Sequence, residues 1–484
     1  MSDVQSRVVG KGPSRRRFLQ EVSALTLGAL GWARDTPPLA APVAPSIPSH
    51  LPRRLSICYY GWDWITSALT DEPFGNVERA LKQTKERGFN CVRAEMGLNW
   101  MFDLQGKRRG KLKFADWIPG FSDNLQDVNG KGGGEHDVFE RVMQLFELAE
   151  KYDLYVITTS WEYQDSISQL ADSHLRDEIL TVPYNKRLML LAVQYHRLLG
   201  ELEKRGLQKR IAQVELINEL NAPPLVCSPS DEDGERLSPW VEGKYPKPPC
   251  STDRVRSLAG AAIAYIRERH PDLLVTVDGL VASSGFRTLF PENAQVADHH
   301  LYVDGITQAF WHAAGISGIR PGVPPPLEKN PFLRSMLKPN PSSWNELCRR
   351  ATRVHQGWWA IAWLYENLDN TKFDKWCVEN YPQCKAKVQK SLDREYQAAS
   401  EFARASNLPL IVDEGFILYP PLHSRFIMTP EGHWGEEAGV NGAIATGHWG
   451  IMITGYFRPN TIGWKDDGQC EWARKLNRRI LASG

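Results

Sequence analysis

A segment near the middle of the chain reads IAQVELINEL from Ile211 to Leu220. Its apolar, β-branched residues predict a strand that ends near Ile217, where an Asn-Glu pair begins a loop. A second segment reads LPLIVDEG from Leu408 to Gly415 and again places a glutamate, Glu414, near the end of an apolar run and beside a glycine. Both segments therefore predict strands that end in a carboxylate.

Similar strand-like runs recur along the chain, separated by stretches with helical periodicity. The eight predicted strands are Leu55–Tyr60, Cys91–Glu95, Leu154–Thr159, Ile211–Ile217, Leu273–Val277, Gln295–Tyr302, Leu408–Val412 and Gly450–Thr454. The predicted helices are Val77–Arg87, Val138–Lys151, Leu188–Lys204, Val255–Arg269, Trp358–Leu368, Leu392–Ala405, Glu436–Thr446 and Cys470–Leu481. Repeated βα units imply a parallel sheet, and eight units predict an α/β fold that closes into a (β/α)8 TIM barrel.

Long insertions follow three of these strands. They cover residues 97–136, 220–251 and 303–349, after the second, fourth and sixth strands. All three follow the C-terminal end of a strand, which is the face that carries the active site in such barrels. We expect them to form the walls of a cleft. A small inserted subdomain between residues 303 and 407 is an alternative.

The composition is that of an ordinary globular protein, with 42% hydrophobic and 24% charged residues. The net charge of +1 argues against a nucleic-acid partner, and no nucleic-acid-binding motif is present. The 17 tryptophans suit the stacking of sugar rings, although tryptophan is equally a large core residue.

The carboxylates that end the fourth and seventh strands suggest a chemistry. These strands lie on opposite sides of an eight-stranded ring, so Glu219 and Glu414 can face each other across its mouth. Hydrolysis of a glycosidic bond needs two carboxyl groups, one protonated and one ionised. Retaining enzymes hold the two groups ~5–5.5 Å apart.

The Asn218-Glu219 pair and the later Glu414, each at a strand end, resemble the clan of barrel glycoside hydrolases that contains the family-five cellulases. The resemblance spans roughly residues 55–480, at the level of ordered landmarks. It implies that Glu219 is the acid/base and Glu414 the nucleophile. It also implies that Asn218 hydrogen-bonds the 2-hydroxyl of the sugar.

Two further strands resemble those of the same clan. The second strand reads NCVR, and the resemblance makes Arg93 the arginine that lies beside the nucleophile and keeps it ionised. The sixth strand reads DHHLY, which is similar to the clan's His-x-Tyr. His300 and Tyr302 are the matching positions, and the tyrosine is expected to hydrogen-bond the nucleophile or the substrate.

Other positions depart from the pattern of the clan. The third strand ends without the histidine of many family-five cellulases, and Trp161 there is either a sugar platform or a core residue. The clan's tryptophan at the end of strand eight is assigned to Trp449, although the register is open, with three alternatives in Tyr456, Phe457 and Trp464. Glu95 and Glu162 also lie near strand ends and are alternatives to the two catalytic glutamates.

The N-terminus predicts export. Paired arginines in the segment Ser14–Gln20 precede a short apolar run, Val22–Trp32, as in a signal for the twin-arginine export machinery. The run is too short for a stable membrane anchor, and none is expected in the mature form. We assign residues 1–50 to this signal and a Pro-rich linker, and residues 51–484 to the catalytic barrel. The mature protein is expected to be periplasmic or secreted.

The chain has eight cysteines, and export permits disulfides. Two pairs flank short segments and are candidates for bridges, Cys227 with Cys250 and Cys377 with Cys384. Cys58 and Cys91 lie inside apolar strands and are predicted to be buried thiols.

The sequence thus predicts a glycosidase that cleaves β-linked oligo- or polysaccharides with retention of configuration, without a cofactor and without a metal. A non-catalytic or weakly active carbohydrate-binding protein on the same barrel is the first alternative, because fold does not fix function. A metalloenzyme is the second, for which His299, His300 and the acidic residues are the only hint.

Overall fold

The computed structural model describes residues 47–116, 124, 131–163, 169–220, 252–278, 290–302, 305–317, 323–350, 359–416 and 420–484. All of them belong to the compact unit Pro45–Gly484. The predicted export signal, the Pro-rich linker up to residue 46, and the candidate bridge Cys227–Cys250 lie outside the described residues. They stay predictions.

Ten strands are present in the described residues: β1 Leu55–Tyr60, β2 Cys91–Glu95, β3 Lys111–Asp116, β4 Gly132–Asp137, β5 Tyr155–Thr159, β6 Ile211–Glu215, β7 Val275–Thr276, β8 Ala297–Tyr302, β9 Leu410–Phe416 and β10 Gly450–Met452. Eight form one sheet in the order β7-β6-β5-β2-β1-β10-β9-β8, and every pairing is parallel. The remaining two, β3 and β4, form an antiparallel hairpin within the first predicted insertion.

The two end strands of the sheet, β7 and β8, also approach each other. The Gln295 amide donates to the Val275 carbonyl at 3.0 Å, and the Thr276 hydroxyl donates to the Val296 carbonyl at 2.7 Å. The eight parallel strands therefore form a nearly closed ring with helices around it. The prediction of a (β/α)8 barrel is confirmed.

Fourteen α-helices occur in the described residues: α1 Asp63–Thr66, α2 Val77–Glu86, α3 Leu98–Met101, α4 Val138–Lys151, α5 Ser173–Leu180, α6 Tyr184–Lys204, α7 Thr252–Arg269, α8 Gly305–Ala313, α9 Pro331–Met336, α10 Trp344–Arg350, α11 Trp359–Asn367, α12 Asn370–Ser406, α13 Pro430–Ala445 and α14 Asp467–Ala482. In the described residues, no helix combines the length and the apolar character needed to cross a membrane.

The strands are buried on both faces, as β1, β2, β6 and β9 show along their whole lengths. One face fills the barrel and the other packs under helices, which is why these segments are nearly continuous apolar runs. Helix α4 illustrates the outer layer. The side chain of Asp137 caps its N-terminus by accepting the Glu140 N–H, and Val142 and Phe146 lie on its buried face.

Helix α12 differs from its prediction, because it has 37 residues whereas the sequence predicted a helix only from Leu392. Cys377 and Cys384 both lie on it, two turns apart, which is about 10 Å along the axis. A disulfide needs Cα atoms within about 7 Å, so the proposed bridge between these residues is wrong. Cys58 and Cys91 are buried free thiols, as predicted.

Candidate active site

Arg93 lies at the centre of a group of carboxylates inside the barrel and has no exposed surface. Its Nη1 atom lies 2.6 Å from Oε1 of Glu414, and its Nε and Nη2 atoms donate to both oxygens of Glu215 at 2.8 and 2.7 Å. Nη2 also donates to Oδ1 of Asn218 at 2.7 Å, and Nε lies 2.6 Å from Asp413. Burial alone lowers the pKa of Arg93, but the surrounding carboxylates raise it well above its usual value.

Both Asp413 and Glu414 reach Arg93 because β9 is irregular at this point. In a regular strand, consecutive side chains point to opposite faces. Here His299 pairs with Val412 and His300 pairs with Glu414, so that Asp413 is an extra residue on β9. Such a bulge re-aims the side chains around it. The bulge explains how two adjacent carboxylates both contact one guanidinium.

Glu414 is held in one orientation by two donors. Arg93 donates to its Oε1 atom, and the Tyr302 hydroxyl donates to its Oε2 atom. Its side chain is 9% exposed, so it is largely buried but keeps some access to solvent. Each oxygen of the Glu414 carboxylate thus accepts a hydrogen bond from a different side chain, and the two bonds together fix the plane of the carboxylate.

Glu219 lies four residues beyond the end of β6, and its surroundings differ from those of Glu414. Its side chain is 46% exposed. Its backbone adopts the left-handed conformation with φ +48°, which is uncommon for a residue with a Cβ atom. The Glu219 N–H donates to Oδ2 of Asp278 at 3.0 Å. The two glutamates therefore share a site but not an environment.

His300 connects the two glutamates. Its Nδ1 atom lies 3.3 Å from Oε1 of Glu219 and 3.6 Å from Oε2 of Glu414. These two oxygens are therefore no further apart than the sum of 3.3 and 3.6 Å, about 7 Å. The Nε2 atom lies 2.9 Å from Oδ2 of Asp278. Burial lowers the pKa of His300, but the charges of Asp278 and Glu414 and the hydrogen bonds to Asp278 and Glu219 raise it well above its usual value.

The structure brings together six of the eight residues that the sequence nominated: Arg93, Asn218, Glu219, His300, Tyr302 and Glu414. Trp161 lies beside them, with its ring centroid 4.7 Å from the guanidinium carbon of Arg93. Only 5% of Trp161 is exposed. Its position suits the packing of Arg93 at least as well as the stacking of a sugar.

The assignment of Trp449 to the substrate site is wrong. This residue directly precedes β10, so it lies at the N-terminal end of the barrel, opposite to the site. Its indole N–H donates to the Pro52 carbonyl at 2.9 Å, and its own carbonyl accepts from Leu55 at the start of β1. The predicted strand Gly450–Thr454 begins where β10 begins, so the error lies in the choice of Trp449, which precedes the strand, and not in the position of the strand.

Glu95 and Glu162, the two alternatives to the catalytic glutamates, form hydrogen bonds with loop residues. Glu95 accepts the backbone N–H groups of Gly97 and Trp161, and Glu162 accepts the backbone N–H and the side-chain amide of Asn99. Both are fully buried. Burial raises the pKa of Glu162 to about 7. Because these carboxylates are occupied by the loop backbone, they suit a structural role.

Sequence reasoning missed three buried carboxylates of the site, Glu215, Asp278 and Asp413. Asp278 directly follows the fifth predicted strand, so the strand-end rule that selected Glu219 would have found it. Glu215 lies inside the quoted IAQVELINEL segment. The sequence gives no signal for the bulge that turns Asp413 toward Arg93.

Two sets of side chains have donor atoms close enough together for a metal ion: Asp278, His300 and Asp413, and Glu215, Asp298 and Asp413. In both sets a cationic side chain is already at ion-pair distance. Arg93 contacts Glu215 and Asp413, and His300 contacts Asp278. His299 points elsewhere, toward His448, with 3.0 Å between their Nε2 atoms. The arrangement fits charge compensation by Arg93 and His300.

Comparison with solved structures identifies the architecture. A structure described as a putative glycoside hydrolase from Parabacteroides distasonis matches with a TM-score of 0.61 and 16% sequence identity, over 89% of this chain and 94% of the other. The two chains share a fold. No protein-family model matches the sequence, and the search of curated proteins gives no match.

Two family-five enzymes match more weakly. One is a tri-modular endo-β-1,4-glucanase from Bacillus licheniformis, at 12% identity and a TM-score of 0.45, over 88% of this chain and 60% of the other. The second is a broad-specificity endoglucanase from Clostridium longisporum, at 12% identity and a TM-score of 0.44, over 88% of this chain and 97% of the other.

Proposed function

We propose that the protein is a glycosidase that cleaves β-linked oligo- or polysaccharides with retention of configuration. The observation that carries this proposal is the approach of Glu219 and Glu414 to one nitrogen of His300, at 3.3 and 3.6 Å. Two carboxyl groups at the mouth of a barrel, at short range and in unlike surroundings, are the groups that double displacement requires.

In the first step, Glu414 attacks the anomeric carbon and the bond to the leaving oxygen breaks. Glu219 gives its proton to that oxygen, so that the leaving sugar departs as an alcohol. Arg93 and Tyr302 hold the attacking carboxylate in place. The product of this step is a glycosyl ester on Glu414.

In the second step, Glu219 takes a proton from a water molecule, and the water oxygen attacks the same carbon. The ester bond breaks and Glu414 is regenerated as a carboxylate. Two inversions give net retention. Asn218 directly precedes Glu219, and its Oδ1 atom accepts a hydrogen bond from Arg93, which also contacts Glu414; this position suits a contact with the sugar 2-hydroxyl.

The upper limit on the separation of the two carboxylates is compatible with retention and leaves little of the spacing range that inversion uses. An inverting enzyme needs room for a water molecule and keeps its carboxyl groups about 6.5–9.5 Å apart. The contacts with His300 limit the nearest oxygens of this pair to about 7 Å at most. A direct attack by Glu414 on the anomeric carbon needs the spacing of retaining enzymes, about 5–5.5 Å, which lies within this limit.

The test is kinetic. Glu219→Ala and Glu414→Ala are each expected to lower kcat on β-linked substrates by at least about 1,000-fold. Azide is expected to restore turnover of an activated aryl β-glycoside in both variants, giving a β-glycosyl azide with Glu219→Ala and an α-glycosyl azide with Glu414→Ala. NMR of the first product of the parent enzyme is expected to show retained configuration.

A matched control is Glu436→Gln. Glu436 is also fully buried, but its carboxylate accepts from Trp472 between α13 and α14. Burial raises its pKa to about 8, so the neutral amide is a close substitute. Activity of the Glu219→Ala or Glu414→Ala variant at the parent rate contradicts the proposal. A parent protein that binds β-glycans without cleaving any supports the carbohydrate-binding alternative.

We also propose that the chain is exported through the twin-arginine pathway to the periplasm or the medium. The support is the paired arginine motif at Arg15 and Arg16, followed by a short apolar run. Replacing both arginines with lysine is expected to leave the full-length precursor in the cytoplasm. Export of that variant at the parent level contradicts the proposal.

A further inference from the structure

Asp278 follows β7 and is 1% exposed. Its backbone is bonded to the segment that carries Glu219. The Asp278 N–H donates to the Ile217 carbonyl at 3.2 Å, and the Asp278 carbonyl accepts from the Leu220 N–H at 2.9 Å. The backbone of Asp278 is therefore hydrogen-bonded to residues on both sides of Glu219 in the chain, Ile217 and Leu220.

A single oxygen of the Asp278 side chain makes two more contacts. Oδ2 accepts the Glu219 N–H at 3.0 Å and lies 2.9 Å from Nε2 of His300. The first contact stabilises the left-handed backbone of Glu219, a conformation that costs about 1 kcal/mol for a residue with a Cβ atom. The second orients the imidazole whose other nitrogen faces the Glu219 carboxylate.

We propose that Asp278 is the positioning residue for the acid/base: through one carboxylate oxygen it fixes the Glu219 backbone and the His300 ring against which the Glu219 side chain rests. The inference rests on the proposed glycosidase function. Asp278 does not contact the reacting atoms, because its side chain is buried behind His300 and Glu219. It acts through these two residues.

Charge supports this role. Burial raises the pKa of Asp278, but the charge of His300 and its hydrogen bond bring it below the usual value. The pKa of His300 is raised in turn by Asp278. The ionised Asp278 therefore keeps His300 cationic, and both ring N–H groups donate, one to Asp278 and one toward Glu219.

Asp278→Asn tests the proposal through the leaving group. Acid catalysis matters when the leaving group is a poor one and matters little for a dinitrophenolate. We expect kcat/KM to fall about 100-fold for unactivated β-glycosides and less than about tenfold for a dinitrophenyl β-glycoside. Azide is expected to raise kcat of the variant on the activated substrate. Equal losses on both substrates, or no loss, overturn the proposal.

A second measurement does not depend on activity. In protein with isotope-labelled histidine, with His300→Gln used for assignment, the pKa of His300 is expected to fall by at least about one unit in Asp278→Asn. An unchanged His300 titration overturns the proposal. If the parent cleaves no β-glycoside, the proposed function fails, whereas this titration still decides whether Asp278 holds His300.

Two further variants distinguish a positioning role of Asp278 from a general loss of stability. Glu436→Gln removes another buried carboxylate and is expected to change neither the leaving-group dependence nor the His300 titration. If Asp278→Asn does not fold, Asp278→Glu keeps the charge and displaces the oxygen by one methylene. Its loss on unactivated substrates must again exceed its loss on the activated one, and equal losses contradict the proposal.

Discussion

Nη1 of Arg93 lies 2.6 Å from Oε1 of Glu414, and the side chain of the arginine has no exposed surface whereas that of the glutamate is 9% exposed. The same guanidinium contacts Glu215 and Asp413. One cation therefore compensates several carboxylates inside the barrel. This sharing makes Arg93 central to the charge balance of the barrel interior.

Arg93→Met is expected to destabilise the protein by about 3–5 kcal/mol, because it leaves buried carboxylates without their partner. It should also abolish detectable turnover, since Glu414 loses one of its two donors. Urea unfolding and kcat/KM measure the two effects. The matched control is Arg108→Met, which removes a 40% exposed partner of Asp137 and is expected to change stability by less than about 1 kcal/mol. Equal destabilisation by both variants contradicts this account.

Tyr302→Phe removes the hydroxyl that donates to Oε2 of Glu414. A hydrogen bond to a charged group is worth about 1.5–3 kcal/mol, so we expect kcat to fall about 10- to 150-fold with a smaller change in KM. Steady-state kinetics on an aryl β-glycoside measures both. Tyr155→Phe is the control, because Tyr155 begins β5, at the end of the strand opposite to the site, and its hydroxyl donates to the His50 carbonyl in an exposed hydrogen bond. A Tyr302→Phe variant as active as Tyr155→Phe argues against a role for this contact.

The barrel could be predicted because its strands are short apolar runs at regular intervals. The strands Leu55–Tyr60 and Cys91–Glu95 begin and end at the predicted residues. Helix α12 was recognised only in its last third. Pro382 lies inside this helix. Because proline usually ends a helix, the sequence predicts a break at this position, although the helix continues through it.

The site could be predicted only where a strand end marks a residue. Glu219, His300 and Glu414 follow that rule, and the barrel brings them together. Asp413 also follows a predicted strand directly, but strand alternation places it on the face opposite to Glu414, and only the bulge in β9 reverses this. The assignment of Trp449 is wrong for another reason: β10 has only three residues, and the sequence does not show which of the nearby aromatic residues lies at its C-terminal end.

The buried pair of His299 and His448 should make stability depend on pH. Burial lowers the pKa of His299 to about 4 and that of His448 well below its usual value. In the unfolded chain both bind protons near pH 6.5, so the contribution of the pair is present above about pH 6.5 and is lost as the pH falls toward 4. His299 alone then accounts for about 2–3 kcal/mol between about pH 7.5 and pH 4.5.

His299→Gln is expected to reduce this pH dependence, measured by urea unfolding at both pH values. His174→Gln, at an exposed position on α5, is the control. Carboxylates also titrate in this pH range and change the stability of every variant. The test is therefore the difference between the two variants in the free energy of unfolding lost on acidification. If they lose stability equally on acidification, the histidine pair does not cause the effect.

The packing of α13 on β9 can be tested at a glycine. A Cβ atom on Gly439 would lie 2.5 Å from the ring of Phe416, two residues after Glu414. Gly439→Ala must therefore push the helix or the ring aside, and overpacking of this kind typically costs about 1–3 kcal/mol. Because Phe416 continues the strand that carries the proposed nucleophile, kcat is expected to fall as well. Gly200→Ala, on α6, meets no atom within 4 Å and is expected to stabilise the protein by about 0.5–1 kcal/mol through helix propensity. Urea unfolding of both variants gives opposite signs if packing decides the outcome, and the same sign if the helix preference of alanine decides it.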